Sequence, residues 1–134
     1  VTNDESNFSQ ELYVSREHIQ IMQNEGMHIG SHSYDHFWLS SISKKEQRIQ
    51  ITKSLNFLKD CKVDIEKWTF CYPYGDFNKD TIDVLNELNC SFALSTKVDV
   101  ANIRKNNKYI LPRLDTNDLP RSKKDEKNIW YNKG

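Results

Sequence analysis

The chain of 134 residues has no excess of either charge, with Lys plus Arg and Asp plus Glu each numbering 19. Without a net field, nothing draws it in bulk to nucleic acid or to an anionic membrane, so recognition has to be local. It is also short of cysteine. Cys61, Cys71 and Cys90 are odd in number and show no Cys-x-x-Cys spacing, which indicates neither a disulfide framework nor a cysteine-held zinc, although one pair could form. No apolar run approaches the roughly 20 residues of a membrane-spanning helix. The opening residues, Val1-Thr2-Asn3-Asp4-Glu5-Ser6, carry neither the basic nor the apolar segment of a leader. A start on valine is compatible with processing, cleavage or a partial chain, and the residues leave the compartment undetermined. Internal repeats and low-complexity linkers are missing too. This length accommodates one domain with a single core.

Aromatic residues are plentiful: six Phe, six Tyr and three Trp suit a globular domain with stacking surfaces, though most aromatics serve as ordinary core. Residues 1–11 are polar and read as a loop or frayed arm. Ser15 can cap a helix from Arg16 to about Asn24, with Ile19 and Met22 on one face and Gly26 just past its end. Met27 to Gly30 reads as a strand entering a turn. Phe37-Trp38-Leu39 is an apolar loop patch expected to pack under the site. Ser43-Lys44-Lys45-Glu46 is a capping box opening a helix to about Asp60, which buries Ile51, Leu55 and Leu58.

Trp68 to Tyr72 is a strand of aromatic and β-branched types, stopped by Pro73 and Gly75. A helix from about Lys79 to Leu88 puts Ile82, Leu85 and Leu88 on one side. Ser91 to Ser95 and Tyr109 to Leu111 read as further strands, the last ended by Pro112. Such alternation predicts an α/β fold with βα units and a parallel sheet, whose chemistry gathers at the strands' C-terminal ends. His32, His36, Tyr74 and Arg113 then share one rim. Residues 121–134 form a charged tail, solvated or pinned by Trp130 and Tyr131.

The main chemical signal is Gly30-Ser31-His32-Ser33-Tyr34-Asp35-His36. Neutral imidazole is the commonest metal ligand among side chains, and one helical turn separates i from i+4, so both rings can address one ion. Catalytic zinc usually has three protein ligands, so a third must come from elsewhere. His28 stands four before His32, but Gly30 inside a helix costs about 1 kcal/mol relative to alanine, which leaves His28 outside the site. Asp35 would point away from the shared face. The competing reading is two partly exposed loop histidines with structural hydrogen bonds.

Three segments in order resemble the polysaccharide deacetylase family, also called the NodB-homology domain or carbohydrate esterase family four. Ile29-Gly30-Ser31-His32-Ser33-Tyr34-Asp35-His36 is similar to its His-Ser/Thr-x-x-His zinc motif. Phe70-Cys71-Tyr72-Pro73-Tyr74-Gly75 resembles the Tyr-Pro-Tyr-Gly version of its third motif, and Leu111-Pro112-Arg113 a Leu-Pro-Arg signature of that branch. The resemblance covers about Ser15 to Asp115. It implies a distorted (β/α) barrel, here partial and missing its first strand or strands, with residues 1–120 as an N-terminally incomplete deacetylase-like domain. It also implies metal-dependent removal of N-acetyl groups from a polysaccharide or amino sugar. By carry-over, His32 and His36 bind zinc or another divalent metal, and the Tyr74 backbone N–H helps hold the oxyanion. The rings of Tyr72 or Tyr74 border the sugar, and Arg113 orients the base or neutralises acetate, a structural ion pair being its bland alternative. A cell-envelope or extracellular location is compatible with the family, nothing in the residues rules out a cytoplasmic one, and a homo-oligomer is possible.

Departures from the family pattern are specific. Nothing resembles the first motif, Thr-Phe-Asp-Asp, which supplies the general base and an aspartate ligand; Asp76, Asp115 or a neighbouring chain would have to substitute. Cys71 stands where the third motif often has arginine, and no histidine follows residue 36 to act as general acid. Two further readings therefore stand beside a deacetylase: a catalytically inactive carbohydrate-binding or structural remnant, and a different metal hydrolase acting on amides or esters outside sugars.

Overall fold

The computed structural model describes residue 8 and residues 12–119. The expected polar arm 1–11, apart from Phe8, and the expected tail 121–134 with Trp130 and Tyr131 lie outside the described residues. Helices begin where the caps stand: Ser15, Ser43 and Asn78 each accept from the N–H three residues on, and the side chain there accepts from the cap's own N–H. Such boxes satisfy two N–H groups that a helix start otherwise leaves unpaired. Helix α1 is Arg16–Asn24, α2 is Lys44–Asp60 and α3 is Lys79–Glu87.

Helix α2 buries Ile51, Leu55 and Leu58 as their spacing requires, together with Gln47, Gln50 and Ser54. Helix α3 is rotated from the expected stripe. It buries Thr81, Val84 and Leu85, while Ile82 and Leu88 are only partly buried. The reason is polar. Thr81 Oγ1 donates to Gln47 Oε1 at 2.7 Å, and Gln47 Nε2 donates to the Ile42 carbonyl at 3.1 Å. A buried amide needs such partners, since a polar group left unpaired there costs about 1–3 kcal/mol. The polar face of Thr81 is therefore turned to α2.

Strands β1 (Thr69–Cys71), β2 (Phe92–Val98) and β3 (Leu111–Arg113) make a parallel sheet in that order. Phe70 pairs with Ala93, Leu94 with Leu111 and Val98 with Arg113. The α/β class, the parallel sheet and the β1–α3–β2 unit agree with the sequence pattern. Two strand expectations need correction. Met27 to Gly30 is not a strand: only Ser31 bridges to Phe70, its N–H donating to Thr69 O at 2.8 Å and its carbonyl accepting from Cys71 N–H at 3.0 Å. Beyond that bridge the chain turns at Ser33, whose φ is 67°. Pro112 does not end its strand but lies inside β3, at the register irregularity between Leu94 and Val98. β3 is the edge of the described sheet, where a missing N–H is tolerated.

The core beneath the sheet joins Leu39, Ile51, Leu55, Trp68, Phe70, Tyr72 and Val84 among others, and Ile19, Leu58, Cys61 and Val63 form a second cluster under α1. All three cysteines are free thiols. Burial pushes the Cys90 thiol up to about 12 from an ordinary 9.0, and drives the Tyr72 phenol well above its usual range. Gly75 follows β1 with φ 72°, and a Cβ there would overlap the Thr96 side chain on β2.

Two outcomes follow from this packing. Gly75→Ala combines positive φ with overpacking and should lower unfolding free energy by about 1–3 kcal/mol in a urea titration; an unchanged midpoint contradicts it. The folded chain keeps the Cys90 thiol neutral to about 12 while an unfolded thiol ionises near 9.0. Its stabilising share is therefore intact below the lower value and is lost as pH rises towards the upper one. Melting temperature should fall across that window, and less steeply in Cys90→Ala.

Candidate functional site

The Ser31 bridge delivers the histidine segment to the C-terminal end of β1. His32 Nδ1 lies 2.8 Å from the Cys71 carbonyl oxygen. A carbonyl only accepts, so in the neutral ring Nδ1 carries the proton and Nε2 keeps its lone pair. That arrangement orients an imidazole for a metal. His32 Nε2 is 3.1 Å from His36 Nε2, with ring centroids 4.9 Å apart and planes at 62°. Two nitrogens bound to one zinc at 2.0–2.1 Å with a tetrahedral angle stand about 3.3 Å apart. The exposed pair thus fits a shared ion with little movement.

A helical turn does not create this convergence, contrary to the i, i+4 argument. The segment is a loop folded back by Ser33 (φ 67°) and His36 (φ 57°). For non-glycine residues the left-handed region costs on the order of 1–2 kcal/mol each, which surrounding contacts must offset. Asp35 is held at α2, its N–H donating to Gln50 Oε1 at 2.9 Å and its carboxylate accepting from Gln50 Nε2 at 2.8 Å. His28 Nε2 pairs with Thr69 Oγ1 at 2.9 Å, outside the pair as expected.

Tyr74 sits in the 3-10 turn Pro73–Gly75 with φ 57°. Its ring centroid is 4.6 Å from that of His36, at 72° between planes, and 4.4 Å from that of Trp38, stacked at 7°. Trp38 was not among the expected site residues. Of the patch expected to pack beneath the site only Leu39 is buried, whereas Phe37 is 48% and Trp38 54% exposed. The turn Leu39–Ser41 turns one side chain inward and leaves the aromatic doublet outside. Two large rings directly after a candidate ligand were the signal available in the sequence. Tyr72 is a correction in the other direction. It is 1% exposed and donates its hydroxyl to Tyr109 O at 2.6 Å, so its ring is core and presents no face to a sugar.

Arg113 Nη1 reaches to 3.9 Å from Cys71 Sγ. Arg113, Cys71, His32, His36, Tyr74 and Trp38 therefore form a continuous line of contacts along one rim. The carboxylates considered as substitutes are engaged elsewhere. Asp76 accepts from Ser40 N–H at 2.6 Å and from Ser40 Oγ at 2.7 Å. Asp115 caps the turn Thr116–Asp118, and its carboxyl is held below the usual range, first by the backbone N–H of Asn117. Among the described residues no group of three or more His, Cys, Asp or Glu is placed to hold a metal. The donors that this arrangement offers are the two imidazoles.

The sequence pattern of a family described as polysaccharide deacetylase matches residues 3–93. The fold is similar to that of the Streptococcus pyogenes deacetylase PplD in complex with acetate, with TM-score 0.70 and 22% identity over 75% of this chain and 44% of that one. It is also similar to a family 4 carbohydrate esterase from Streptomyces lividans in complex with acetate, with TM-score 0.56 and 19% identity over 63% and 42% of the two chains. The aligned part is less than half of either structure. No curated protein sequence matches. Since the family pattern spans most of the chain and takes in His32, His36 and Tyr74, the chain belongs to the polysaccharide deacetylase family.

Proposed function

We propose that this chain is the core of a metal-dependent hydrolase that removes N-acetyl groups from a polysaccharide or amino sugar. The observation that carries it is the 3.1 Å approach of the two Nε2 atoms, with His32 fixed through Nδ1 on the Cys71 carbonyl. Imidazole donors suit zinc, and His32 and His36 are the residues that would hold it. When bound, a divalent ion supplies Lewis-acid polarisation of the acetamide carbonyl. The family fold further supports reading the three-stranded sheet as part of a distorted (β/α) barrel.

The other roles fall to the chain's own groups. Water adds across the amide C–N bond, giving acetate and a free amine. As the acetamide carbon becomes tetrahedral, the Tyr74 backbone N–H donates to its oxygen; losing one such donor typically costs about 3 kcal/mol. Arg113, exposed beside Cys71, balances the charge of the acetate released. Both neighbouring structures contain acetate, in keeping with that product. The outer surface of the exposed Trp38–Tyr74 stack supplies an apolar face for a pyranose.

A second reading, a carbohydrate-binding remnant without hydrolysis, draws support from one observation. Asp35, Asp76 and Asp115, the carboxylates nearest the motifs in sequence, each hydrogen-bond to groups other than the histidines. The full chain incubated with zinc and an N-acetylated chitin oligomer separates the two. Acetate release supports the hydrolase; oligomer binding without acetate supports the remnant. In zinc titrations His32→Ala should weaken binding by at least about tenfold, the scale of losing a metal's supporting contacts alone. Unchanged affinity in that variant contradicts the metal assignment.

A further inference from the structure

Asp76 holds one residue with both of its oxygens. Oδ2 accepts from the Ser40 N–H and Oδ1 from the Ser40 hydroxyl, across 36 positions of sequence. Charge-assisted bonds of this kind are shorter and stronger than neutral ones, and the N–H contact pins backbone as well as side chain. Ser40 lies in the turn Leu39–Ser41, which Trp38 opens. Asp76 directly follows the turn Pro73–Gly75, which carries Tyr74. The two turns bear the two stacked rings, and Tyr74 in turn lies against His36. His36 and Tyr74 both hold φ at 57°, a conformation that persists only where neighbours enforce it.

We propose that Asp76 is a positioning residue for the histidine pair: by latching Ser40 it keeps Trp38 on Tyr74 and Tyr74 against His36, and so fixes where His36 Nε2 stands. Its effect on ion binding rests on the metal reading above; its effect on ring position does not. The latch is separable from the fold. Leu39, beside Ser40, is itself fully buried in the core, and α3 starts from its own cap at Asn78.

Nuclear magnetic resonance of the metal-free full chain reads the latch directly, because the Tyr74 ring shifts the His36 ring protons. Asp76→Ala should move those resonances towards unstructured-histidine values and leave the Val84 and Leu85 methyl signals in place. Asp76→Asn keeps a carbonyl oxygen for the Ser40 N–H and should restore most of the wild-type pattern. Ser40→Ala should fall between, and Asp76→Ala combined with Ser40→Ala should go no further than Asp76→Ala alone. Zinc affinity should follow the same order, falling about tenfold in Asp76→Ala.

Unmoved His36 resonances in Asp76→Ala overturn the proposal, as do core methyls that move together with them. If Asp76→Asn loses zinc as fully as Asp76→Ala while Ser40→Ala keeps it, Asp76 is a ligand and the positioning role fails. A wild-type chain that takes up no zinc yet shows the expected resonance pattern upholds the latch and refutes the metal reading.

Discussion

The hydrogen bond from His32 Nδ1 to the Cys71 carbonyl, 2.8 Å long, joins the histidine loop to the sheet through a group at the very end of β1. Cys71 uses its N–H on Ser31 and its carbonyl on His32, so consecutive residues of the loop are tied to one residue of the strand. Its side chain meets Arg113 from β3. One strand-end residue thus contacts both the histidine loop and the far edge of the sheet. The bond also settles the imidazole tautomer, leaving Nε2 as the atom available for chemistry.

The second constraint is aromatic and comes from the opposite side of the pair. Tyr74, in a left-handed turn, touches His36 and lies under Trp38. Gly75 makes that turn possible, since any side chain there would meet Thr96. The turn is therefore seated on β2, just as His32 is seated on β1. The line of contacts is thus anchored to the sheet at His32 and, through Gly75, at Tyr74, and the sheet packs on a core in which Phe70 and Tyr72 are almost fully buried. Among the described residues, strand ends and tight turns position these exposed side chains.

The site was partly legible in the residues. Two histidines four apart after an Ile-Gly-Ser lead, with Tyr74 and Arg113 after later strands, were enough to expect a common rim, and the contacts place them on one. The helical turn invoked for their convergence was the wrong vehicle. Periodicity arguments assume regular backbone, and Ser33 and His36 depart from it by taking positive φ that non-glycine residues seldom adopt. Tyr72 and Trp38 exchanged their expected places for a similar reason. Which of two nearby aromatic rings is buried depends on where a turn points it, and here Pro73–Gly75 and Leu39–Ser41 decide that.

Local chemistry determined the helices: Ser15, Ser43 and the apolar spacing of α2 act within a few residues, so the sequence carries their positions unaided. The order of elements was likewise enough for a parallel α/β sheet. Only the tertiary structure decided that Met27 to Gly30 stays unpaired, that Pro112 enters β3, that α3 turns Thr81 inward to Gln47, and that Asp76 closes on Ser40. The last three depend on partners in other elements of the chain, and the free energy of a hydrogen bond or contact between separate segments is fixed by their placement in space, which no local pattern encodes.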